Sequence, residues 1–175
     1  MKKYCAALIL SLVGVCGTAQ AEAPYQGYIG ISYAQLEQYD RFFGGDRFDT
    51  DEVFLRLGGR LTDIFETELR AGMTARSESQ GNVDFSHDYI VTGLLRAGYT
   101  FGFVRPYVAA GYTFGKERLK VGTDELSETF RDRSYGGGVD ILLGDRLGVN
   151  VELMQYYDMG NLRLQGYSAG LTWRF

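Results

Sequence analysis

Residue types that could carry acid–base or nucleophilic chemistry are scarce in this chain. The single histidine, His87, stands in Ser86-His87-Asp88, a run that invites comparison with lipid-modifying Ser–His enzymes. Such catalysis needs the base within hydrogen-bond reach of the nucleophile, and neighbours on a strand point to opposite faces. The run therefore reads as a solvated or interfacial strand edge, and no catalytic residue is assigned. Both cysteines, Cys5 and Cys16, lie among the first 21 residues, so the remainder has no thiol for a disulfide or a metal site. Phosphate-cradling loops, metal-ligand clusters and nucleophile elbows are missing from the sequence, and no cofactor or metal is expected.

The chemistry that remains is ionic. Glu66, Glu68 and Arg70 alternate with Phe65, Thr67, Leu69, Ala71 and Met73, which on a strand places the charges on one face and the apolar residues on the other. The same alternation assigns Arg56, Arg60, Arg96, Asp140, Glu152 and Arg174 to the glycine-rich side of their segments. A soluble ligand-carrying barrel would keep aliphatic residues inside and charges outside; here the order is inverted.

Eight segments carry the alternation. The outward sets are Ile29, Ile31 and Tyr33; Val53, Leu55 and Leu57; the Phe65–Met73 series; Tyr89, Val91, Leu95 and Tyr99; Val108, Ala110, Tyr112 and Phe114; Tyr135, Val139 and Ile141; Leu147, Val149, Val151 and Leu153; and Tyr167, Ala169, Leu171, Trp173 and Phe175. Pro106 is expected at the start of its strand, where the missing N–H does least damage. Links near 62–63, 101–103 and 144–146 are short, whereas those near 37–52, 74–88, 115–133 and 158–163 are longer and polar. The fold class that follows is all-β: an eight-stranded antiparallel transmembrane up-and-down β-barrel, with short turns on the periplasmic side and long loops outside.

Parity fixes two registers in advance. Opposed residues in an antiparallel pair face the same way, so Arg60 should meet Glu66 and Arg56 meet Arg70 across one turn, and Asp140 should meet Asn150 and Gly138 meet Glu152 across another. Tyr89, Tyr99, Tyr112, Tyr135, Tyr157, Tyr167, Trp173 and Phe175 are expected in the aromatic girdles at the bilayer interfaces.

The N-terminal residues indicate the compartment. Met1-Lys2-Lys3, an apolar stretch over Ala6–Val15 and Ala19-Gln20-Ala21 have the form of a cleaved secretory signal, and the apolar run is shorter than the ~20 residues of a spanning helix. Residues 1–21 are expected to be the signal and 22–175 the barrel domain; a lipoprotein cleavage at Cys16 fits less well. Without Lys2 and Lys3 the balance is 16 basic to 22 acidic residues, a net charge of −6, which offers nothing to nucleic acid. The 24 Gly, 13 Tyr and 11 Phe against two Pro suit closed β structure.

Leu57-Gly58-Gly59-Arg60-Leu61, Arg105-Pro106-Tyr107-Val108-Ala109-Ala110-Gly111-Tyr112, Gly136-Gly137-Gly138-Val139-Asp140 and Gly170-Leu171-Thr172-Trp173-Arg174-Phe175 together resemble the OmpA/OmpX-like small outer-membrane β-barrel family over the whole mature chain. The resemblance implies export through the secretory pathway to the cell outer membrane. It further implies that Tyr167, Leu171, Trp173 and Phe175 are the C-terminal signal read by the barrel-assembly machinery, and that outer-membrane lipids, including lipopolysaccharide, are partners. The family's peptidoglycan-binding domain has no counterpart in the residues given, so cell-wall anchoring is not carried over.

An eight-stranded barrel is just wide enough for side chains to fill it. The interior cluster of Arg56, Arg60, Glu66, Glu68, Arg70, Arg96, Asp140 and Glu152 is accordingly expected to neutralise itself as a plug, with Glu68 as hub to Arg56, Arg60 and Arg70; a gate or selectivity filter is the competing reading. A structural or surface-interaction role with a ligand held by the loops leads, a narrow porin-like channel follows, and a lipid-modifying enzyme stands last. The segment from Glu37 to Glu52, with six acids and two arginines, exemplifies the loops that would carry such contacts.

Overall fold

The computed structural model describes residues 26–40, 47–77, 79–80, 83–121, 124–159 and 162–175; at 38–40, 47–48, 76–77, 79–80, 83–87, 117–121, 124–128, 159 and 162 it describes the backbone alone. The proposed signal segment and its cysteines lie outside the described residues.

Eight long strands follow one another in chain order: β1 (Gly27–Asp40), β2 (Arg47–Arg60), β3 (Phe65–Ser77, continued by Ser79–Gln80), β4 (Val83–Gly98), β5 (Val104–Val121), β6 (Asp124–Leu143), β7 (Leu147–Met159) and β8 (Leu162–Arg174). Each pairs antiparallel with the next, and β8 returns to β1 from Tyr28↔Arg174 to Asp40↔Leu162. Closure leaves no open edge, which a bilayer demands because lipid offers no partner to a backbone N–H or C=O. Among the described residues no helix is long and apolar enough to cross a membrane; the chain crosses with strands.

The registers agree with those required by parity: Arg56↔Arg70 and Arg60↔Glu66, and Asp140↔Asn150 and Gly138↔Glu152. Outward-facing Ile31, Leu55, Met73, Leu95, Val108, Val151 and Leu171 are all exposed, as a lipid-facing band must be. Turn chemistry is local. Thr62 Oγ1 accepts from the backbone N–H groups of Ile64 (3.2 Å) and Phe65 (2.9 Å), while Gly102 (φ 61°) and Gly144 (φ 79°) supply the left-handed residues of the other two turns.

Three expectations are corrected. The long links are mostly not loops: β5 runs 18 residues and β6 runs 20, and their ladder continues to Val121↔Asp124. Spanning needs only ~9–11 residues, and beyond the bilayer a strand can be polar on both faces, so alternation fades there although pairing does not. Secondly, β5 begins at Val104, two residues before Pro106, whose carbonyl still accepts from the Tyr99 N–H at 3.2 Å. Thirdly, Tyr157 is not in a girdle. The β7–β8 register slips between Gln155 and Tyr157, and a bulge of this kind turns successive side chains toward one side, so Tyr156 and Tyr157 are both buried in the lumen.

The glycines facing inward make room for large neighbours. A methyl group at Gly58 would run into the Tyr28 ring, at Gly72 into Phe54 and at Gly115 into Phe130. Each aromatic ring thus lies over a glycine of the adjoining strand, a pairing invisible to alternation alone. Gly93 faces outward with nothing within 4 Å of a built Cβ. Gly72→Val should therefore destabilise the folded barrel by about 1–3 kcal/mol through overpacking, while Gly93→Val should leave it within about 0.5 kcal/mol; urea unfolding in lipid vesicles, followed by tryptophan emission, distinguishes the two.

Candidate functional site

The lumen has two layers. Toward the long-hairpin end it is apolar: Leu36, Phe54, Ile90, Leu94, Phe130, Met154 and the two bulge tyrosines form a continuous core, with Phe54 stacked on Tyr156 at 5.6 Å between ring centroids and Phe130 tilted on Tyr157 at 4.8 Å. Within it a hydroxyl chain crosses three strands, Thr92 Oγ1 to Thr113 Oγ1 at 2.8 Å and on to Ser134 Oγ at 2.5 Å, ending as Ser134 donates to the Tyr156 carbonyl at 2.8 Å. The interior is therefore less polar than the sequence suggested, because positions beyond the charged stretch of each strand carry aromatic and aliphatic side chains.

Toward the short-turn end lies the charged layer. Glu68 is its hub: Arg56 Nη2 lies 2.8 Å from Glu68 Oε2, Arg96 Nη1 lies 3.3 Å from it, and Arg70 Nε and the Tyr28 hydroxyl donate to the same carboxylate. Arg70 also reaches across the lumen and grips Glu152 with both terminal nitrogens at 2.5 and 2.6 Å. Such a two-pronged grip fixes orientation as well as charge. Arg96 donates to Asp140 at 2.8 Å and to the Tyr28 hydroxyl at 2.6 Å, with its guanidinium carbon 3.7 Å from the centroid of the Tyr107 ring.

Arg105 completes the layer, and the sequence reading passed over it. It donates to Glu66 Oε2 at 2.6 Å and lies 3.7 Å from Asp140, while Glu66 is also 3.3 Å from Arg96. Period two from inward-facing Tyr107 places Arg105 on the same face. Asn150, expected opposite Asp140, stands there and ties the layer together. Its side chain donates to Tyr107 Oη and Asp140 Oδ1, both at 2.8 Å, and its oxygen accepts from Arg56.

Arg60 takes a different place. Its guanidinium bonds the turn carbonyls of Thr62 (3.1 Å) and Asp63 (3.2 Å) and stands 3.6 Å from the Asp63 carboxylate, since it is the last residue of β2, where the lumen opens. The other buried ions among the described residues are Arg56, Arg70, Arg96, Arg105 and, at the end of β8, Arg174, against Glu66, Glu68, Asp140, Glu152 and, toward the long-hairpin end, Glu52, which accepts from Thr74 Oγ1 at 2.7 Å. These five positive and five negative charges cancel, which is the condition for keeping ions out of water, where an unpaired one costs several kcal/mol. The backbone of His87 lies opposite Glu117 in the β4–β5 ladder, and its side chain lies outside the described residues. Tyr167, Leu171, Trp173 and Phe175 all stand exposed on the outer wall.

Removal of one partner should show the network's coupling. Glu68→Gln leaves Arg56, Arg70 and Arg96 sharing one fewer carboxylate and should cost about 3–5 kcal/mol, whereas Asp158→Asn, which breaks the exposed 2.9 Å pair with Arg163, should cost under about 1 kcal/mol. Equal losses in urea unfolding would show that the buried pairs carry no special weight.

Among solved structures the chain is similar to the attachment invasion locus protein Ail of Yersinia pestis, at a TM-score of 0.67 and 17% identity over 86% of this chain and 99% of that one. It is also similar to Neisserial surface protein A, at 0.69 and 16% over 85% and 97%, and to the N-terminal β-barrel domain of Pseudomonas aeruginosa OprF, at 0.61 and 15% over 86% and 100%. These likenesses establish the fold. No curated protein sequence matches. The family model for the outer membrane protein beta-barrel domain matches residues 6–175, and the chain belongs to that family of outer-membrane proteins.

Proposed function

We propose that the protein is a plugged barrel with a structural and surface-interaction role in the envelope, presenting its long hairpins outside the cell. The observation that carries this reading is the charge-balanced network of buried ions spanning the lumen, from Arg56 and Arg70 on β2 and β3 to Glu152 on β7. Solute or ion passage would have to separate pairs at 2.5–2.8 Å and displace the aromatic layer above them. Hairpin length supports the second half of the proposal. About eight residues of β5 and β6 exceed what the bilayer requires, roughly 25 Å of strand at ~3.3 Å per residue, a large area on which to hold a surface ligand.

Export by the secretory route and insertion by the barrel-assembly machinery belong to the same proposal. The outward alternation of Tyr167, Leu171, Trp173 and Phe175 supports their reading as the assembly signal, since the machinery would meet them on the face that later contacts lipid. Trp173→Ser with Phe175→Ser should lower the amount of heat-modifiable barrel in outer membranes several-fold while the purified variant still folds in detergent.

Single-channel recording separates the plug from a narrow pore. Mature protein folded in detergent, verified by its altered gel mobility before boiling and then added to a planar bilayer, should give no reproducible conductance steps. Steps that change with Glu68→Gln or Arg70→Gln would establish the channel and overturn the plug.

A further inference from the structure

Beyond Tyr89 the strands β4, β5 and β6 continue as a paired three-stranded sheet, and its ladder assembles three residues that no short stretch of sequence joins. His87 lies opposite Glu117, and Glu117 lies opposite Glu128. Opposed residues of an antiparallel pair share a face, so the three form one row on one face, with opposed positions about 4.5–5.5 Å apart at Cβ. It is the face that fills the lumen lower down. There the row Ile90–Gly115–Phe130 occupies the same side of the sheet, with Ile90 and Phe130 buried.

A register slip brings the histidine into the row. Tyr89 lies opposite Lys116, yet the next residue of β5, Glu117, lies opposite His87 and not Asp88. A regular ladder would set Asp88 against Glu117, two like charges directly opposed. The bulge instead takes Asp88 out of the ladder, 3.6 Å from Lys116, and puts an imidazole-bearing residue in its place. Re-aiming one residue beside a functional site is a recurrent use of such bulges.

Charge along the ladder points the same way. The row His87–Glu117–Glu128 has two acids and no lysine or arginine, and opposed Glu117 and Glu128 are an unfavourable pair. Nearby, the row Asp84–Lys120–Glu125 sets its two acids on either side of a lysine. On the face shared by His87, Glu117 and Glu128 the flanking rows are Ile90–Gly115–Phe130 and Phe85–Leu119–Leu126, which contain no cation.

We propose that His87, Glu117 and Glu128 are the protein ligands of a binding site for a divalent transition-metal ion of the zinc type. Imidazole nitrogen and carboxylate oxygen are ordinary zinc ligands, at about 2.0–2.2 Å, and three protein ligands leave a position for water. The imidazole selects against calcium and magnesium, which take oxygen ligands. A dication balances the two carboxylates and joins β4 to β6, which share no ladder of their own.

The test is zinc titration of the folded, tag-free barrel in detergent by isothermal titration calorimetry near neutral pH, with gel mobility before boiling confirming that each variant is folded. His87 is the one histidine of the chain, so loss of binding in His87→Ala has a single source. Wild type should take up one zinc per barrel, His87→Ala and Glu128→Gln should each weaken uptake about tenfold or more, and excess calcium should leave it unchanged. His87→Cys should restore binding, because thiolate is also a zinc ligand, and Glu125→Gln, in the lysine-balanced row, should bind as wild type does. Absence of stoichiometric uptake by wild type, or equal affinity in His87→Ala, would overturn the site. Full affinity in Glu128→Gln would overturn the three-strand assignment, and displacement of zinc by calcium would overturn the metal class.

Discussion

Charge placed inside a narrow tube within a bilayer has to be answered by charge of the opposite sign. Glu68 is where this protein meets that demand, because its carboxylate is shared by Arg56, Arg70, Arg96 and the Tyr28 hydroxyl. The other acids then settle the arginines that Glu68 cannot satisfy alone: Glu152 fixes Arg70, Asp140 fixes Arg96, and Glu66 joins Arg96 to Arg105. The glycines follow from the same crowding. With four arginines and their partners in the lower lumen, Tyr28 can fit only where the facing strand has Gly58, and Tyr107 only where it has Gly138.

Much of this is legible in the sequence. Period-two patterning places inside and outside correctly along the strands up to the bulge in β7, since a one-residue error would put Glu66, Glu68 and Arg70 into lipid. Parity then yields Arg56↔Arg70 and Asp140↔Asn150 as residue-level registers. The membrane is a strict solvent, and strict solvents leave clear patterns.

What escaped the sequence escaped for physical reasons. Tyr157 was misplaced because a bulge at Gln155 breaks parity locally and leaves no signature in residue type. The paired extension of β5 and β6 was hidden because strands standing in water need no apolar face. Arg60 and Arg105 changed places in importance because both sit near strand ends, where a long side chain can turn outward to a loop or inward to the lumen, and only the position of Glu66 decides between them. The aromatic-over-glycine pairing depends on neighbours from two strands at once, which no single stretch of chain reveals.

The network also constrains how the molecule can come into being. Arg70 on β3 grips Glu152 on β7, and Arg56 on β2 meets Asn150 on β7, so these bonds join strands that are never neighbours in the ladder. A partly built sheet, however well its hairpins are paired, holds Arg70 without Glu152 and Arg96 without Asp140. Such an intermediate must keep its future lumen wet until β8 docks on β1, because dehydrating it earlier would strand each ion alone. Dehydration of the interior and joining of the final seam are therefore one cooperative event, and the protein has no dry half-barrel on its route to the membrane.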